Sequence, residues 1–318
     1  MPKVLTLIDR DPRDGTVRRS ACALLTLARR LGEPVAVVGG ERPGDEAIRT
    51  LGRFGATEVW CATDPSTRAT DTDLLQQLAV LLKPSAILIP ATPRSQEAAA
   101  RLAVRLDSGI ITNAIDVRPG PVAIQRCLAG SYLVESSVVR GVPIITVRPE
   151  AAAPEPHPAT PAVHTVEVPP SAVPAPRVVA TPKPRLDRPP LDQADIVVAG
   201  GRGIGSRAAF AVLADVADTL GAALAGSHTA AELGWVPREA QVGLTGTTVH
   251  PRLYLACGVS GSVRHRAGMQ GAKTVVAIGD DPDAPIFKLA DLGVVGDART
   301  ILPALLKEIR ARTAHDVP

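Results

Sequence analysis

Aromatic residues are scarce in this chain. Phe, Trp and Tyr make up 2% of its 318 residues, too few to build the stacking surface that binds single-stranded nucleic acid. The formal net charge is only +3, so the chain also lacks the basic surface that attracts a phosphate backbone. We therefore expect no nucleic-acid partner, and hydrophobic cores built from aliphatic side chains.

Cysteine is also rare. Cys22, Cys61, Cys127 and Cys257 lie tens of residues apart and form no C-x-x-C pair, so the patterns of a zinc cluster and of a redox dithiol are missing. Long apolar runs are missing too: the run from Val4 to Ile8 is shorter than a signal-peptide core, and no later run has the length of a membrane span. We expect no metal, no membrane-embedded segment, and a reducing, cytoplasmic location.

The length of the chain predicts two domains. In the first, short β-branched runs alternate with amphipathic stretches, which predicts a parallel sheet covered by helices on both faces. The predicted strands are 4–8, 34–38, 58–61 and 86–89, and the predicted helices are 18–31, 44–53, 71–82 and 95–106. Residues 110–147 contain four strand-like pieces separated by Gly and Pro, which predicts a β-meander extending this sheet.

Proline is concentrated in one segment. Residues 149–190 hold 13 of the 30 prolines, a composition typical of an extended, semi-rigid linker. Within that segment, 163–168 or 177–180 would be able to add an edge strand to a neighbouring sheet. We therefore divide the chain into an N-terminal scaffold domain (1–148), a Pro-rich linker (149–190) and a second domain (191–318).

The second domain repeats the alternation of strands and helices, so it is also predicted to be a doubly wound parallel sheet. The predicted strands are 196–200, 223–226, 253–257, 274–278 and 292–296, and the predicted helices are 207–220, a short one from 263, and 300–311. Ligands bind such sheets at the carboxyl ends of the strands. The loops after these strands are therefore the candidate site.

The loop from Gly200 to Ser206 is rich in glycine and joins a strand to a helix, which suits an anion at the helix N-terminus. Its sequence departs from the G-x-G-x-x-G fingerprint at Ser206, which disfavours an ordinary NAD site. Arg202 is either a pyrophosphate clamp or a solvated charge. The other loops carry hydroxyls, His265 and carboxylates, each of which also suits turn or helix-cap chemistry. The residues alone predict a nucleotide-type cofactor.

Four segments in order carry a family resemblance: VVAGGRGIGS, GSHTAAELGWVP, QVGLTGTTVHPRLYLACGVSGSVRHRAGM and KTVVAIGDDPDAPIFKLADLGVVGD. From Ile196 to Asp297 the chain resembles the FAD domain of electron transfer flavoprotein alpha subunits. Weaker similarity at CLAGS (127–131) and PIITVRPE (143–150) extends to the first domain.

This resemblance implies an electron carrier without substrate chemistry of its own. The alpha subunit would bind FAD and pair with a beta subunit that carries AMP or a second FAD. Dehydrogenases such as the acyl-CoA dehydrogenases of fatty acid β-oxidation would supply electrons, and a quinone oxidoreductase would accept them. The first domain, which has Asp9-Arg10-Asp11-Pro12 in place of a glycine-rich loop, would grip the beta subunit.

The resemblance also assigns roles to residues. Arg202 would contact the pyrophosphate, Thr245 the flavin N5, His265 the pyrimidine carbonyl and Asp297 the adenosine end. The predicted cofactor site comprises Arg202, Ser227, His228, Val242, Gly243, Leu244, Thr245, Ser260, Gly261, Ser262, Val263, Arg264, His265, Gly279 and Asp297.

Four positions depart from the family pattern. His228 replaces a usual Arg, Leu244 and Arg264 each replace a Gln, and Gly279 replaces an Asn. These departures predict a flavin potential that depends on pH near neutrality, and FAD that is held loosely without the beta subunit. They also leave two alternatives: an electron-bifurcating flavoprotein that takes hydride from NADH through its beta subunit, and a non-redox binding subunit.

Overall fold

The chain folds into two compact units, Met1–Val179 and Ala180–Pro318. The computed structural model describes residues 1–11, 14–64, 70–127, 132–149, 151–169 and 188–315. Each unit is an α/β fold built on its own sheet, which confirms the predicted fold class. The division into 1–148, 149–190 and 191–318 stays a prediction.

Within the described ranges, the first unit contains nine strands and four helices. In chain order they are β1 (Lys3–Leu7), α1 (Arg19–Ala28), β2 (Glu33–Val38), α2 (Asp45–Arg53), β3 (Glu58–Ala62), α3 (Asp71–Leu82), β4 (Ala86–Pro90), α4 (Pro93–Arg105), β5 (Ile110–Arg118), β6 (Val122–Cys127), β7 (Tyr132–Ser137), β8 (Ile144–Val147) and β9 (Ala162–Val166). The strands lie in the order β7-β6-β5-β8-β4-β1-β2-β3-β9. All neighbours are parallel except the pairs β5-β6 and β6-β7.

The first sheet is buried on both faces. Val4 and Leu5, consecutive in β1, are each fully buried in different apolar clusters, because successive side chains of a strand point to opposite faces. Local signals set the helix ends: the Thr70 side chain and Asp73 form a reciprocal capping box at the start of α3. The four strands and four helices predicted in 4–106 are confirmed.

One prediction for this unit needs correction. The meander prediction holds for β5, β6 and β7, but β8 does not continue it: β8 returns between β4 and β5 and runs parallel to both. The possible edge strand at 163–168 is present: β9 (Ala162–Val166) pairs with β3 at the edge of the sheet. Edge strands tolerate flanking prolines, since one side of their backbone needs no partner. The alternative edge strand, 177–180, lies outside the described residues.

Within the described residues, the second unit contains five strands and four α-helices. They are β10 (Ile196–Gly200), α5 (Phe210–Thr219), β11 (Ala223–Gly226), α6 (His228–Glu232), β12 (Leu253–Cys257), α7 (Val263–Met269), β13 (Thr274–Gly279), β14 (Leu292–Val295) and α8 (Ala298–His315). The five strands are all parallel, in the order β11-β10-β12-β13-β14. The predicted strands are confirmed, whereas the short helix α6 was not predicted.

The order of the strands in the second sheet determines where a ligand-binding cleft can form. After β10 the chain moves to one side to form β11, and then crosses to the other side of β10 to form β12. The chain connections that follow β10 and β12 therefore run to opposite sides of the sheet. Ligands of open α/β sheets bind at the carboxyl ends of the strands where such a change of direction occurs. Val197 and Val198 of β10 are fully buried in clusters on opposite faces of the sheet, so the strands that end at the cleft form a rigid base.

Candidate cofactor cleft

A cleft of about 460 Å³ lies at the carboxyl ends of these strands. Its lining comes from the loops after β10, β11, β12 and β13, from the loop 241–245, and from Ala284 and Phe287. The cleft therefore lies where the sequence predicted ligand-binding loops. Polar groups from four parallel strands converge on one concave surface, which is typical of a site for an extended ligand.

Backbone groups line the cleft between β10 and β12. The Gly203 amide donates a hydrogen bond of 2.9 Å to the Gly258 carbonyl, and the Gly201 amide donates one of 2.9 Å to the Cys257 carbonyl. A Cβ atom on Gly258, whose φ is +60°, would lie 2.6 Å from the carbonyl carbon of Gly203. Glycine is required here because the two loops meet backbone to backbone.

The loop after β11 begins the helix α6 and presents His228. The Ser227 side chain caps this helix by accepting a hydrogen bond of 3.3 Å from the Ala230 amide. The His228 Nδ1 lies 3.3 Å from Oε1 of Gln241, and its Nε2 lies 3.1 Å from Oε1 of Glu232. Both neighbours are acceptors as placed, so the arrangement suits a ring that donates from both nitrogens.

Gln241 links His228 to Thr245. Its side chain is 8% exposed, and its Nε2 donates a hydrogen bond of 3.0 Å to the Thr245 Oγ1. Because that hydroxyl oxygen is an acceptor in this bond, its own proton remains to be donated into the cleft. Gln241 stood in a loop singled out from the sequence, but its side-chain role was missed because no pattern encodes a contact across the loop.

The loop 241–245 is fastened to the start of α7. The Leu244 amide donates a hydrogen bond of 2.8 Å to the Arg264 carbonyl. Gly243 and Gly268 also pack closely, since a Cβ on Gly268 would lie 2.3 Å from the Gly243 nitrogen. This contact brings Thr245 and His265, predicted as neighbours of the flavin, to the same wall of the cleft.

His265 is held from behind by a tyrosine. The ring is 4% exposed and its Nε2 lies 2.9 Å from Oη of Tyr254, a fully buried residue of β12. Burial lowers the pKa of His265 to about 4, against a smaller opposing effect of the Val242 backbone. The His265 Nδ1 is buried beside the Val242 backbone. Nothing in the sequence signalled Tyr254, which occupies an ordinary position in an apolar strand.

Charges of both signs border the cleft. Arg202 and Arg264 line it, and neither forms an ion pair with another described residue. Asp280 and Asp281 line it after β13, and the Asp281 carboxylate accepts a hydrogen bond of 3.0 Å from the Asp283 amide. The unpaired guanidinium groups suit a pyrophosphate, which arginine binds with two parallel hydrogen bonds.

Most of the predicted site residues converge on the cleft. Those that line it are Arg202, Ser227, His228, Val242, Gly243, Leu244, Thr245, Ser260, Ser262, Arg264, His265 and Gly279. Gly261, Val263 and Asp297 are not among the lining residues. Asp297 instead binds the Arg299 side chain at 2.8 Å, and hydrogen bonds from Arg299 lower the pKa of the Asp297 carboxyl. Its contact with the adenosine end stays a prediction.

A parallel α/β unit with a donor-lined cleft at its crossover point is a nucleotide-cofactor-binding domain. Comparison with known families narrows this class. The electron transfer flavoprotein domain matches residues 5–172, and the electron transfer flavoprotein FAD-binding domain matches residues 190–270.

Individual relatives agree with the family match. The chain is 40% identical over 319 residues to electron transfer flavoprotein subunit alpha of Mycobacterium leprae, with 98% of this chain and 99% of that protein covered. It is 42% identical over 319 residues to the protein of the same name from Mycobacterium tuberculosis H37Rv, again with 98% and 99% covered. Protein FixB of Azotobacter vinelandii is 38% identical over 252 residues, which cover 76% of this chain and 70% of FixB. The chain belongs to the electron transfer flavoprotein alpha-subunit family.

The cofactor of this family's second domain is FAD, and the cleft residues fit it. The glycine loops leave room for the pyrophosphate and Arg202 supplies positive charge for it, while the Thr245 hydroxyl, beside the His265 ring on the same wall, is a donor for the polar edge of a flavin. Among the described helices, none is long and apolar enough to cross a membrane.

Proposed function

We propose that the chain is the FAD-binding subunit of a heterodimeric electron carrier. Electrons enter from flavin dehydrogenases, such as acyl-CoA dehydrogenases, and leave to a quinone oxidoreductase. The proposal rests on the cleft, whose described residues offer hydrogen-bond donors but pair no serine or threonine hydroxyl with a histidine. That composition suits holding a redox cofactor rather than performing nucleophilic or acid–base chemistry on a substrate.

Each part of the cleft has a role in this proposal. Bound FAD supplies reversible electron uptake at its isoalloxazine ring. Arg202 holds the pyrophosphate by charge and hydrogen bonds, and the glycines at 201 and 203 leave room for it to approach the loop. Thr245 and His265 donate to the polar edge of the ring, and such donors favour negative charge developing there on reduction.

The first unit would bind a beta subunit, which carries AMP or a second FAD. The edge strand β7 supports this part of the proposal. Leu133 and Val134 of β7 are 68% and 38% exposed, and among the described strands β7 pairs on one side only, with β6. An apolar strand with an unpaired backbone edge is a surface that proteins normally cover. A cytoplasmic location is part of the same proposal.

The test is an absorbance titration of the chain co-purified with its beta partner. We expect flavin absorbance that is bleached by an acyl-CoA dehydrogenase with its substrate and recovered with a quinone oxidoreductase. Bleaching by NADH without any dehydrogenase would instead favour the bifurcating class. A colourless complex that cannot be reconstituted with FAD would overturn the carrier proposal and favour the non-redox subunit.

A further inference from the structure

Tyr254, the hydrogen-bonding partner of His265, is a buried polar residue to which the proposed function gives no role. Tyr254 is completely buried, with 0% of its surface exposed. Its Oη lies 2.9 Å from Nε2 of His265. The two rings meet edge to face, with centroids 6.1 Å apart and planes at 61°. A phenol buried this deeply needs a hydrogen-bond partner, and within the described chain His265 is the one that contacts it.

We infer that Tyr254 is a positioning residue: it holds the His265 ring at the wall of the cleft as the tautomer with its proton on Nδ1. The inference rests on the proposed function, because it assigns a purpose to a ring that lines the FAD cleft. Tyr254 itself touches no cofactor and acts through His265.

The protonation states follow from burial. The His265 ring is neutral at physiological pH, since burial lowers its pKa to about 4. Burial also raises the pKa of the Tyr254 hydroxyl far above its usual range, so Tyr254 keeps its proton. A neutral imidazole has one N–H donor and one acceptor nitrogen. The shared hydrogen bond therefore has two possible directions.

Counting donors selects one direction. If Tyr254 donates to Nε2, the proton of the ring lies on Nδ1, and that buried N–H beside the Val242 backbone is the one group left to satisfy. If Nε2–H donates to Tyr254, the phenol proton has no described acceptor and Nδ1 becomes a buried lone pair without a partner. The second arrangement orphans two buried groups rather than one, and each orphan is costly.

The strand makes this bond rigid. Tyr254 lies in β12, paired with Val197 of β10 on one side and Val275 of β13 on the other. Its position is therefore fixed by two ladders of hydrogen bonds. His265 lies on α7, whose first residue is Val263, so the Tyr254 hydroxyl ties this short helix to the centre of the sheet. Fixing both the rotation and the tautomer of a donor before the ligand arrives is preorganisation.

The experiment compares wild-type protein with Tyr254→Phe, both as the complex with the beta subunit. In ¹⁵N-histidine NMR spectra at neutral pH, we expect wild-type His265 to show the Nδ1–H tautomer. Tyr254→Phe should lose that preference, because Nε2 has lost its donor. The midpoint potential of the flavin should become more negative while FAD content is retained.

Two controls separate positioning from general damage. Thr72→Val removes another buried hydroxyl, which donates a hydrogen bond of 3.3 Å to the Ala98 carbonyl in the first unit. This variant should leave the His265 tautomer and the flavin potential unchanged. In a double-mutant cycle, Tyr254→Phe should have no further effect on the potential in a His265→Asn background, because Tyr254 acts only through His265.

The outcomes distinguish this inference from the proposed function. A wild-type Nε2–H tautomer, or an unchanged tautomer in Tyr254→Phe, would overturn the inference even if the protein carries electrons normally. Failure of the chain to bind FAD would overturn the proposed function, whereas the tautomer would still be readable in the cofactor-free complex. An additive double mutant would show that Tyr254 acts on the flavin by another route and would also contradict the inference.

Discussion

The amide of Gly203 donates its hydrogen bond to the carbonyl of Gly258 over 2.9 Å, and this contact joins the loops that follow β10 and β12. The two residues are far apart in sequence, but their backbones are in van der Waals contact because neither has a side chain. The floor of the cleft at the crossover point is therefore made of peptide groups. Because no side chain stands there, an anionic pyrophosphate can approach this backbone closely.

Gly258→Ala tests this contact. A left-handed backbone costs a residue with a Cβ about 1–2 kcal/mol, and forcing apart the packed loops adds about 1–3 kcal/mol. Gly221→Ala is the matched control, since Gly221 has the same φ of +60° but open space around its Cβ position. We expect Gly258→Ala to lower both the free energy of unfolding and the affinity for FAD, and Gly221→Ala to lower only the former. Equal effects in the two variants, measured by urea unfolding and flavin titration, would contradict this role.

The sequence predicted these glycine loops because each follows an apolar strand and precedes a helix, a relationship that is local in the chain. It did not predict Gln241 as the partner of Thr245, or Tyr254 as the partner of His265. Those contacts depend on how the loop 241–245 folds over α7 and on which face of β12 Tyr254 occupies. The position of β8 was also missed, because insertion between two existing strands leaves no mark on local composition. Local patterns therefore located the cleft, while the groups that orient its donors required the tertiary structure.

His228 should make the flavin potential depend on pH. Histidine as a residue type changes charge near neutral pH whereas arginine does not, and the two nitrogens of His228 lie 3.3 Å and 3.1 Å from oxygens of Gln241 and Glu232. A unit charge a few Å from a reacting group interacts with it by about 1–4 kcal/mol. Loss of this cation as pH rises should lower the potential. We expect redox titrations of His228→Arg to show a shallower dependence on pH than wild type.

The control for His228→Arg is His164→Gln, which removes a histidine of the first unit that stacks on Trp60. It should leave the slope as in wild type. An unchanged slope in His228→Arg would show that His228 does not sense the flavin.

Asp73 should contribute to stability in a way that acid removes. Burial raises the pKa of this carboxyl, but hydrogen bonds from Arg105 at 2.6 Å and from Thr70 outweigh burial and hold the pKa below its ordinary value of 3.8. A lowered pKa in the folded state stabilises the fold above the ordinary pKa, and that stabilisation is lost as pH falls through the folded value. Asp73→Asn should therefore cost about 1–3 kcal/mol at neutral pH, and less in acid.

Urea unfolding at neutral pH and below pH ~4 measures this difference. Asp45→Asn is the control, because Asp45 also lies in the first turn of a helix but is exposed. Its cost should be small at both values of pH. A cost for Asp73→Asn that stays constant into acid would rule out the proposed ion pair as its source.

FAD should be held loosely by the isolated alpha chain. Leu244 lines the cleft but is 69% exposed, and Gly279 lines it without a side chain. These two positions replace the Gln and Asn of the family pattern, so neither side chain can donate a hydrogen bond to FAD. A Cβ on Gly279 would approach the Phe287 ring no closer than 3.9 Å, so an asparagine has room. We expect the isolated chain to lose FAD on gel filtration and the complex with the beta subunit to retain it.

Leu244→Gln and Gly279→Asn should each tighten binding of FAD by up to about tenfold, since a neutral hydrogen bond is worth about 1 kcal/mol. Leu289→Gln, which alters an exposed leucine outside the cleft lining, should change nothing. Stoichiometric FAD in the isolated wild-type chain would show instead that backbone groups, Arg202 and the donors at Thr245 and His265 are sufficient to hold the cofactor.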